Sequence, residues 1–510
     1  MKKELKKNPK QFEKLLILVA FVIAGMVFVY AKPGPIPSAA PIDNSSLVKG
    51  KYYVSQSIGN DTYDGLAPVF DGTHGPWKTL SKAGSRAYFA GDSIPLKCGD
   101  QWNKLFTLEG NGSSSSPITL ASYASGDRPY IRGSGDNSGA CITISASSQG
   151  WKIVGIETGY AKYGIKVLTS SKGDFYCFED NYIHDCVNAN WNNNSDEWGY
   201  GVIFVGASFT NIAVQNCIFV RNDCSFYHLR GSLENVIIKG CTFTKGHYNQ
   251  LYQHDAKNFD ILNCMFDHNG DGYINRGNTG VIMGDLRGEA GENEIAGNEF
   301  GWTIDPGGWD EAGYDFEVSG DGITLRNNFF HDCYGEAILF MDLGPTSTTG
   351  FTWNNLLIDN NLFVNNCNGS IHHKAEIDFW DGFHMNAGSG TISNNRFVRL
   401  PGVKMFSFIP SCFSYSNNVD VMTPLFTEPQ FVLIDDKTNE FTLSCADLNA
   451  SIYYSTDDSV PTQSSTHYTG GNISVTKSQI VNIKAFKDGY LPSVTNSQLI
   501  DLRAGTYRNK

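Results

Sequence analysis

The sequence predicts an all-β chain: a solenoid of short stacked coils followed by a small β-sandwich. Three observations carry this expectation. The 510 residues include 53 Gly and 13% aromatics but only 18% charged residues, against ~25% charged in an average soluble domain. That balance suits many short strands and tight turns, and it argues against disorder, a coiled coil or a helix-rich enzyme. A short pattern recurs from about residue 175 to 400, and after residue 425 short alternating strands follow at the rhythm of a sandwich.

The recurring pattern is two alternating apolar residues, a polar pair rich in Asn, then an aromatic or Ile two places on. It reads FYCFEDNYI ending at Ile183, IAVQNCIF at Phe219, VIIKGCTF at Phe243 and FDILNCMF at Phe266. It continues as EIAGNEF at Phe300, ITLRNNFF at Phe330, LLIDNNLF at Phe363 and TISNNRF at Phe397. Successive closing residues lie 36, 24, 23, 34, 30, 33 and 34 apart. A core of about 23 residues with variable insertions means one coil per repeat, the insertions being external loops. Period-2 alternation makes each unit a strand, and Asn or Gly at the turn tolerates left-handed backbone. Stacking at ~4.8 Å then turns like positions into ladders of Phe, Asn and Cys.

The segment from roughly residue 50 to 425 resembles the right-handed parallel β-helix superfamily, which includes pectate lyases and polygalacturonase-like hydrolases. The flank YYVSQSIGNDTYDGLAP, PWKTLSKAG, AGDSIPLKCGDQW and SPITLASYASGDRPYI strengthens the likeness. It implies a short helix around Pro76–Ala83 capping the open end, which a solenoid needs to cover its first coil. The likeness specifies fold rather than reaction, since lyases, hydrolases, epimerases, esterases and phage adhesins share it. Farther on, IYYSTDDSVPT, HYTGG and IKAFKDGY closely resemble the C-terminal accessory domain of chitobiase-type hexosaminidases, over about 431–500. That resemblance implies an Ig-like companion module without chemistry of its own, either glycan-binding or a spacer. The expected organisation is a basic tail at 1–14, a hydrophobic signal or anchor helix at 15–31 and a linker at 32–48. The β-helix follows at 49–425, the sandwich at 426–500 and a tail at 501–510.

Lys2, Lys3, Lys6, Lys7, Lys10 and Lys14 outweigh Glu4 and Glu13, so the N-terminus carries +4. An unbroken apolar run from Leu15 to Ala31 follows, at the short end of a membrane span. A basic flank keeps the N-terminus cytoplasmic, and Val-Tyr-Ala offers a signal-peptidase site. Cleaved signal or retained anchor, residues 32–510 are expected outside the cell, secreted or held on the outer face of the membrane. Their charge is -13 minus +4, or -17, which argues against nucleic acid as a partner. Twelve cysteines lack CxxC or zinc-type spacing. Cys217, Cys241 and Cys264 share one repeat position, expected as a buried thiol column. Cys98 and Cys141 are the disulfide candidates. A monomer is expected.

A ligand groove in such a fold runs along an outer face, so outward polar residues aligned between coils are the candidates. The strand after each closing aromatic reads F-Y-H-L-R at 226–230, Q-L-Y-Q-H at 250–254 and G-V-I-M-G-D at 280–285. It reads G-Y-D-F-E-V at 313–318 and S-I-H-H-K at 370–374. With Leu251, Ile282, Phe316 and Ile371 inward, the outer column holds His228, Arg230, Tyr252, His254, Asp285, Asp315, Glu317, His372 and Lys374. Asp315 and Glu317 stand two apart on a strand, with Cα atoms ~6.6–6.8 Å apart. An inverting glycosidase needs its acid and base ~6.5–9.5 Å apart. Asp285 is a third carboxylate candidate and His254 a proton-transfer group. Trp302 and Trp309 offer stacking surfaces for a sugar ring. Tyr252, His228 and His372 are candidate substrate contacts, while Arg230, Arg276 and Lys374 suit a uronate carboxylate or the base of a β-eliminating lyase. Outward carboxylates are equally ordinary on a solvated strand.

Three functions compete. The first is a glycoside hydrolase cleaving a polysaccharide through the carboxylate pair. The second is a polysaccharide lyase, whose Ca²⁺ would sit on Asp267, Asp271 and Asp285; DHNGDG at 267–272 lacks the ligands of an EF-hand loop. The third is a non-catalytic glycan-binding surface protein. The hydrolase needs no certain cofactor. The charge of -17 repels polyanionic uronans and turns the reading toward it.

Overall fold

The computed structural model describes residues 50–135, 139–188, 198–270, 280–304, 312–341, 353–369, 374–380 and 388–421 of the solenoid. Of the C-terminal part it describes 430–435, 440–447, 449–457, 459–475, 479–488 and 490–500. The solenoid is built of coils with three parallel strands each, one on each of three faces. Strands such as Tyr163–Leu168, Tyr200–Val205 and Cys224–Leu229 stack on the first face. Lys172–Glu179, Ser208–Gln215 and Ser232–Lys239 stack on the second. The third is a separate sheet of 12 short strands, among them Tyr182–Cys186 and Ile218–Val220. One helical turn, Leu80–Ala83, begins at the N-cap Thr79 and buries Leu80 and Ala83 against the first coils.

The repeat's closing residues occupy one register column of the third face, from Ile183 through Phe219, Phe243, Phe266, Phe300, Phe330 and Phe363 to Phe397. All are fully or almost fully buried. Phe243 stacks on Phe266 with centroids 4.6 Å apart and planes 2° apart, and the remaining rings follow at 4.7–5.2 Å. The ring spacing equals the strand spacing, so each phenyl group buries both faces without disturbing the hydrogen bonds between coils.

Between the second and third faces each coil turns on two residues. The first takes left-handed backbone, as at Asn216, Asn263, Asn327, Asn360 and Asn394 (φ 51° to 58°). The second points inward and closes the turn. Asn328 Oδ1 accepts from the Asn298 amide at 3.0 Å, and its Nδ2 donates to the Ile295 carbonyl at 2.8 Å. Asn361 and Asn395 repeat this on the following coils. Cys217, Cys241 and Cys264 fill the same rung earlier on: the Cys241 Sγ accepts from the Cys217 amide at 3.5 Å and donates to the Val214 carbonyl at 3.5 Å. The expected thiol column is therefore a hydrogen-bonded substitute for asparagine. All twelve cysteines are free, Cys98 and Cys141 included, which corrects the disulfide pairing.

The C-terminal part is antiparallel. Gln430–Asp435, Glu440–Ser444 and Ile473–Ser474 form one sheet. Thr466–His467, Ser451–Ser455, Gln479–Phe486 and Asn496–Ile500 form the other. Phe441, Leu443, Ile452, Val481 and Ile483 pack between them. The basic tail and the Leu15–Ala31 run lie outside the described residues. No helix among the described residues is long and apolar enough to cross a membrane.

Asn328→Ala leaves an amide and a carbonyl without their partner inside the coil. It should cost about 3 kcal/mol, read as a lower denaturant midpoint. Asn328→Cys, which copies the Cys241 rung, should cost roughly half as much.

Candidate functional site

The faces differ in how the chain reaches them. Turns from the second to the third face have two residues, as between Ala296 and Glu299 or Arg326 and Phe329. The long connections all border the first face: Cys186 to Tyr200, Asp267 to Val281, Gly301 to Tyr314, Val364 to Ala375, Phe340 to Trp353 and Phe379 to Gly388. Loops on a rigid scaffold are where binding and chemistry concentrate, so the site is sought on this face.

Its inward column runs Val202, Phe226, Leu251, Val281, Tyr314, Ile338 and Ile377. The neighbouring outward column runs Ile203, Tyr227, Tyr252, Ile282, Asp315, Leu339 and Asp378. Asp315 therefore stands two coils beyond Tyr252 in the same column. Past Asp315 the register slips: Phe316 pairs with Met283 but Ser319 with Asp285, so Glu317 and Val318 together oppose Gly284. Such a bulge re-aims a side chain. Here Glu317 Oε2 accepts a hydrogen bond from the Tyr252 hydroxyl at 3.2 Å. Burial first, then the charge of Glu317, raises the Tyr252 phenol well above its usual range, so it stays a donor.

Two apolar clusters flank this point along the axis. Tyr200, Ile203, Cys224, Tyr227 and Tyr252 form one, with Trp198 packed against it. Tyr163, Tyr200 and Tyr227 stack in sequence at 5.8 and 4.7 Å, and Lys166 Nζ sits 4.7 Å from the Tyr163 ring. Those ring faces cover one another, so this cluster fixes Tyr252 rather than offering a sugar platform. On the other side lie Ala312, Leu339 and Met341, with Trp380 against them. Asp315, Glu336, Glu376 and Asp378 are each 0% exposed. Glu376 accepts from Asn366 Nδ2 at 2.7 Å, and burial pushes its carboxyl up to about 8.

The remaining expected residues scatter. His228 pairs in register with Phe204, is wholly buried and meets the Phe209 ring edge-on. Phe226 is inward, so alternation turns His228 inward too; the outward assignment is corrected. Ile282 shares the Tyr252–Asp315 register, the reverse of its expected column. Arg230 is exposed at a left-handed corner (φ 74°) after the strand, and Lys374 at another (φ 50°) before Ala375–Phe379. Trp302 follows the third face, its ring 5.0 Å from His268 and 4.6 Å edge-on to His331. Asp285 pairs with Asp255 and Ser319 in register, away from the Asp315 column. The side chains of His254 and Asp285 lie outside the described residues, as do Trp309, Arg276 and His372. Asp378 was missed because the strand of its coil is Ala375–Phe379, five residues later than expected. The alternation of Ile377 and Phe379 with Glu376 and Asp378 was the available signal.

A model for the right handed beta helix region matches residues 228–397, and one for the chitobiase/beta-hexosaminidase C-terminal domain matches residues 436–497. The chain is a right-handed parallel β-helix carrying a chitobiase-type C-terminal domain. No curated protein sequence matches it. Among solved structures the β-helix is similar to a GH136 lacto-N-biosidase from Eubacterium ramulus, at 14% identity over 73% of this chain and 68% of that one, TM-score 0.51. A PL6 family polysaccharide lyase from Pseudopedobacter saltans matches at 17% identity over 67% and 90%, TM-score 0.40. The pectate lyase Pel9A matches at 14% over 84% and 91%, TM-score 0.42. The likeness to the lacto-N-biosidase shows the fold alone.

Burial raises Glu376 from an ordinary 4.5 to about 8, so between those values the folded chain holds a proton that the unfolded chain has lost. Its contribution to stability therefore falls as pH rises through that window. Glu376→Gln does not titrate. Relative to the variant, the parent should lose on the order of 3 kcal/mol between pH 5 and pH 8, measured as denaturant midpoints of both proteins at the two pH values.

Proposed function

We propose that the chain is an extracellular glycoside hydrolase that cleaves a glycan on the first face of its β-helix, with Asp315 and Glu317 as acid and base. The observation that carries this reading is the Tyr252–Glu317 hydrogen bond at a bulge, two residues from a buried aspartate in the same outward row. Tyr252 holds Glu317 as an acceptor, which suits it to take a proton from water. Asp315 then supplies the proton to the leaving glycosidic oxygen as water attacks the anomeric carbon. Inversion on this pair needs the two carboxyl groups ~6.5–9.5 Å apart, with the water between them. The likeness to the lacto-N-biosidase, itself a glycoside hydrolase by family, agrees with this class.

The lyase reading draws less support. Arg230 and Lys374 stand at corners on opposite edges of the face, outside the Asp315 row. Asp267, offered as a Ca²⁺ ligand, bonds His268 and Thr244. Asp271 and the side chain of Asp285, the other two expected Ca²⁺ ligands, lie outside the described residues.

The test is the full chain against neutral and acidic glycans, following reducing ends and the ultraviolet absorbance of unsaturated uronates together. New reducing ends without absorbance are expected. Asp315→Asn and Glu317→Gln should each lower kcat by about 10²- to 10⁴-fold with the fold intact, and Tyr252→Phe by roughly tenfold. Absorbance growing with product, or full activity in Asp315→Asn, would sink the assignment.

A further inference from the structure

One outward column of the third face runs Tyr182, Ile218, Thr242, Met265, Glu299 and Phe329 on six consecutive coils. Glu299 is the one ionisable carboxylate among these neighbours, yet it is 2% exposed. Such a group persists in a dry site only when its charge is matched and its oxygens are saturated. The match comes from the C-terminal sandwich. Glu299 Oε2 accepts from Lys484 Nζ at 2.6 Å and from Thr495 Oγ1 at 2.5 Å. Its Oε1 accepts from the Thr495 amide at 2.7 Å and from His331 Nε2 at 3.2 Å. Burial opposes the charge on Glu299, but Lys484 and His331 outweigh it and hold the carboxyl well below its usual range.

The same column is gripped elsewhere. Ile480 packs with Tyr182, Ile218 and Val220. Ser497 Oγ donates to Met265 Sδ at 3.2 Å. Lys484 Nζ also lies 4.8 Å from the Phe329 ring centre. These groups stand on Gln479–Phe486 and its neighbour Asn496–Ile500, so one sheet of the sandwich lies along the β-helix axis. Glu299 belongs to the coil that runs on through Gly301 to Tyr314 and Asp315.

We infer that the C-terminal domain is an intramolecular clasp: its four-stranded sheet docks on the third face across these six coils through the Glu299–Lys484 pair, and it is not a tethered glycan-binding module. The sheet face that carries Ile480, Lys484 and Ser497 is occupied by the chain's own solenoid. This assignment is independent of the reaction proposed above.

The test places a protease site between Val421 and Gln430 of the full chain and cuts it under native conditions. The clasp requires the two fragments to stay together through gel filtration. Lys484→Met, which leaves Glu299 buried without its cation, should release the sandwich, and Glu299→Met in the same chain should restore at least part of the association. Circular dichroism before cutting confirms that each variant is folded. Separation of the fragments of the unsubstituted chain would overturn the clasp. So would association that survives Lys484→Met and Ile480→Asp together.

Discussion

The β-helix depends on how each coil closes its corner between the second and third faces. Two residues make that turn, the first left-handed and the second sealing backbone groups that water cannot reach. A buried amide or carbonyl without a partner costs roughly 1–3 kcal/mol, and the cost recurs on every coil. The inward asparagines answer it twice each, accepting from the preceding rung's amide and donating to a carbonyl of the coil before. Because each rung bonds the next, the corner is a continuous line from Asn298 to Asn418. The phenylalanine stack two residues later inherits its spacing from that line.

This rigidity on one side frees the other. With two faces pinned at a two-residue turn, every long connection falls at the borders of the first face. The outward row there departs from the plain packing of the rest. Its bulge at Glu317 and its buried Asp315 and Asp378 break local rules for a strand exposed to solvent. Departures of this kind are expected at functional or strained positions. The opposite face carries a departure of its own in Glu299, and the sandwich resolves it.

The repeat was legible because it is written in period and spacing. Eight closing residues, Ile183 to Phe397, fall in one column although the intervals between them vary from 23 to 36 residues. The Asn-rich pair before them is the corner itself. Of the candidate site, the sequence placed only Tyr252, Asp315 and Glu317 on the outward side, where apolar neighbours fix which way the strand faces. Beyond a long connection the sequence offers no measure of where the next strand begins. Ala375–Phe379 thus starts five residues late, and the first-face strand Ile338–Phe340 went unread. His228 misled for a different reason: a polar ring was assumed to face water, although alternation from Phe226 turned it inward. The Glu299–Lys484 pair joins positions 185 residues apart on two different folds, and no periodicity could announce it.

The twelve reduced cysteines have a consequence for where this chain can mature. A protein stapled by disulfides needs an oxidant and the time to sort its pairings. This chain holds its corners with amides and with thiols that serve as weak hydrogen-bonding groups, most of them sealed in the core. With no disulfide among its cysteines, the fold closes its corners without a covalent bond that an oxidant must form.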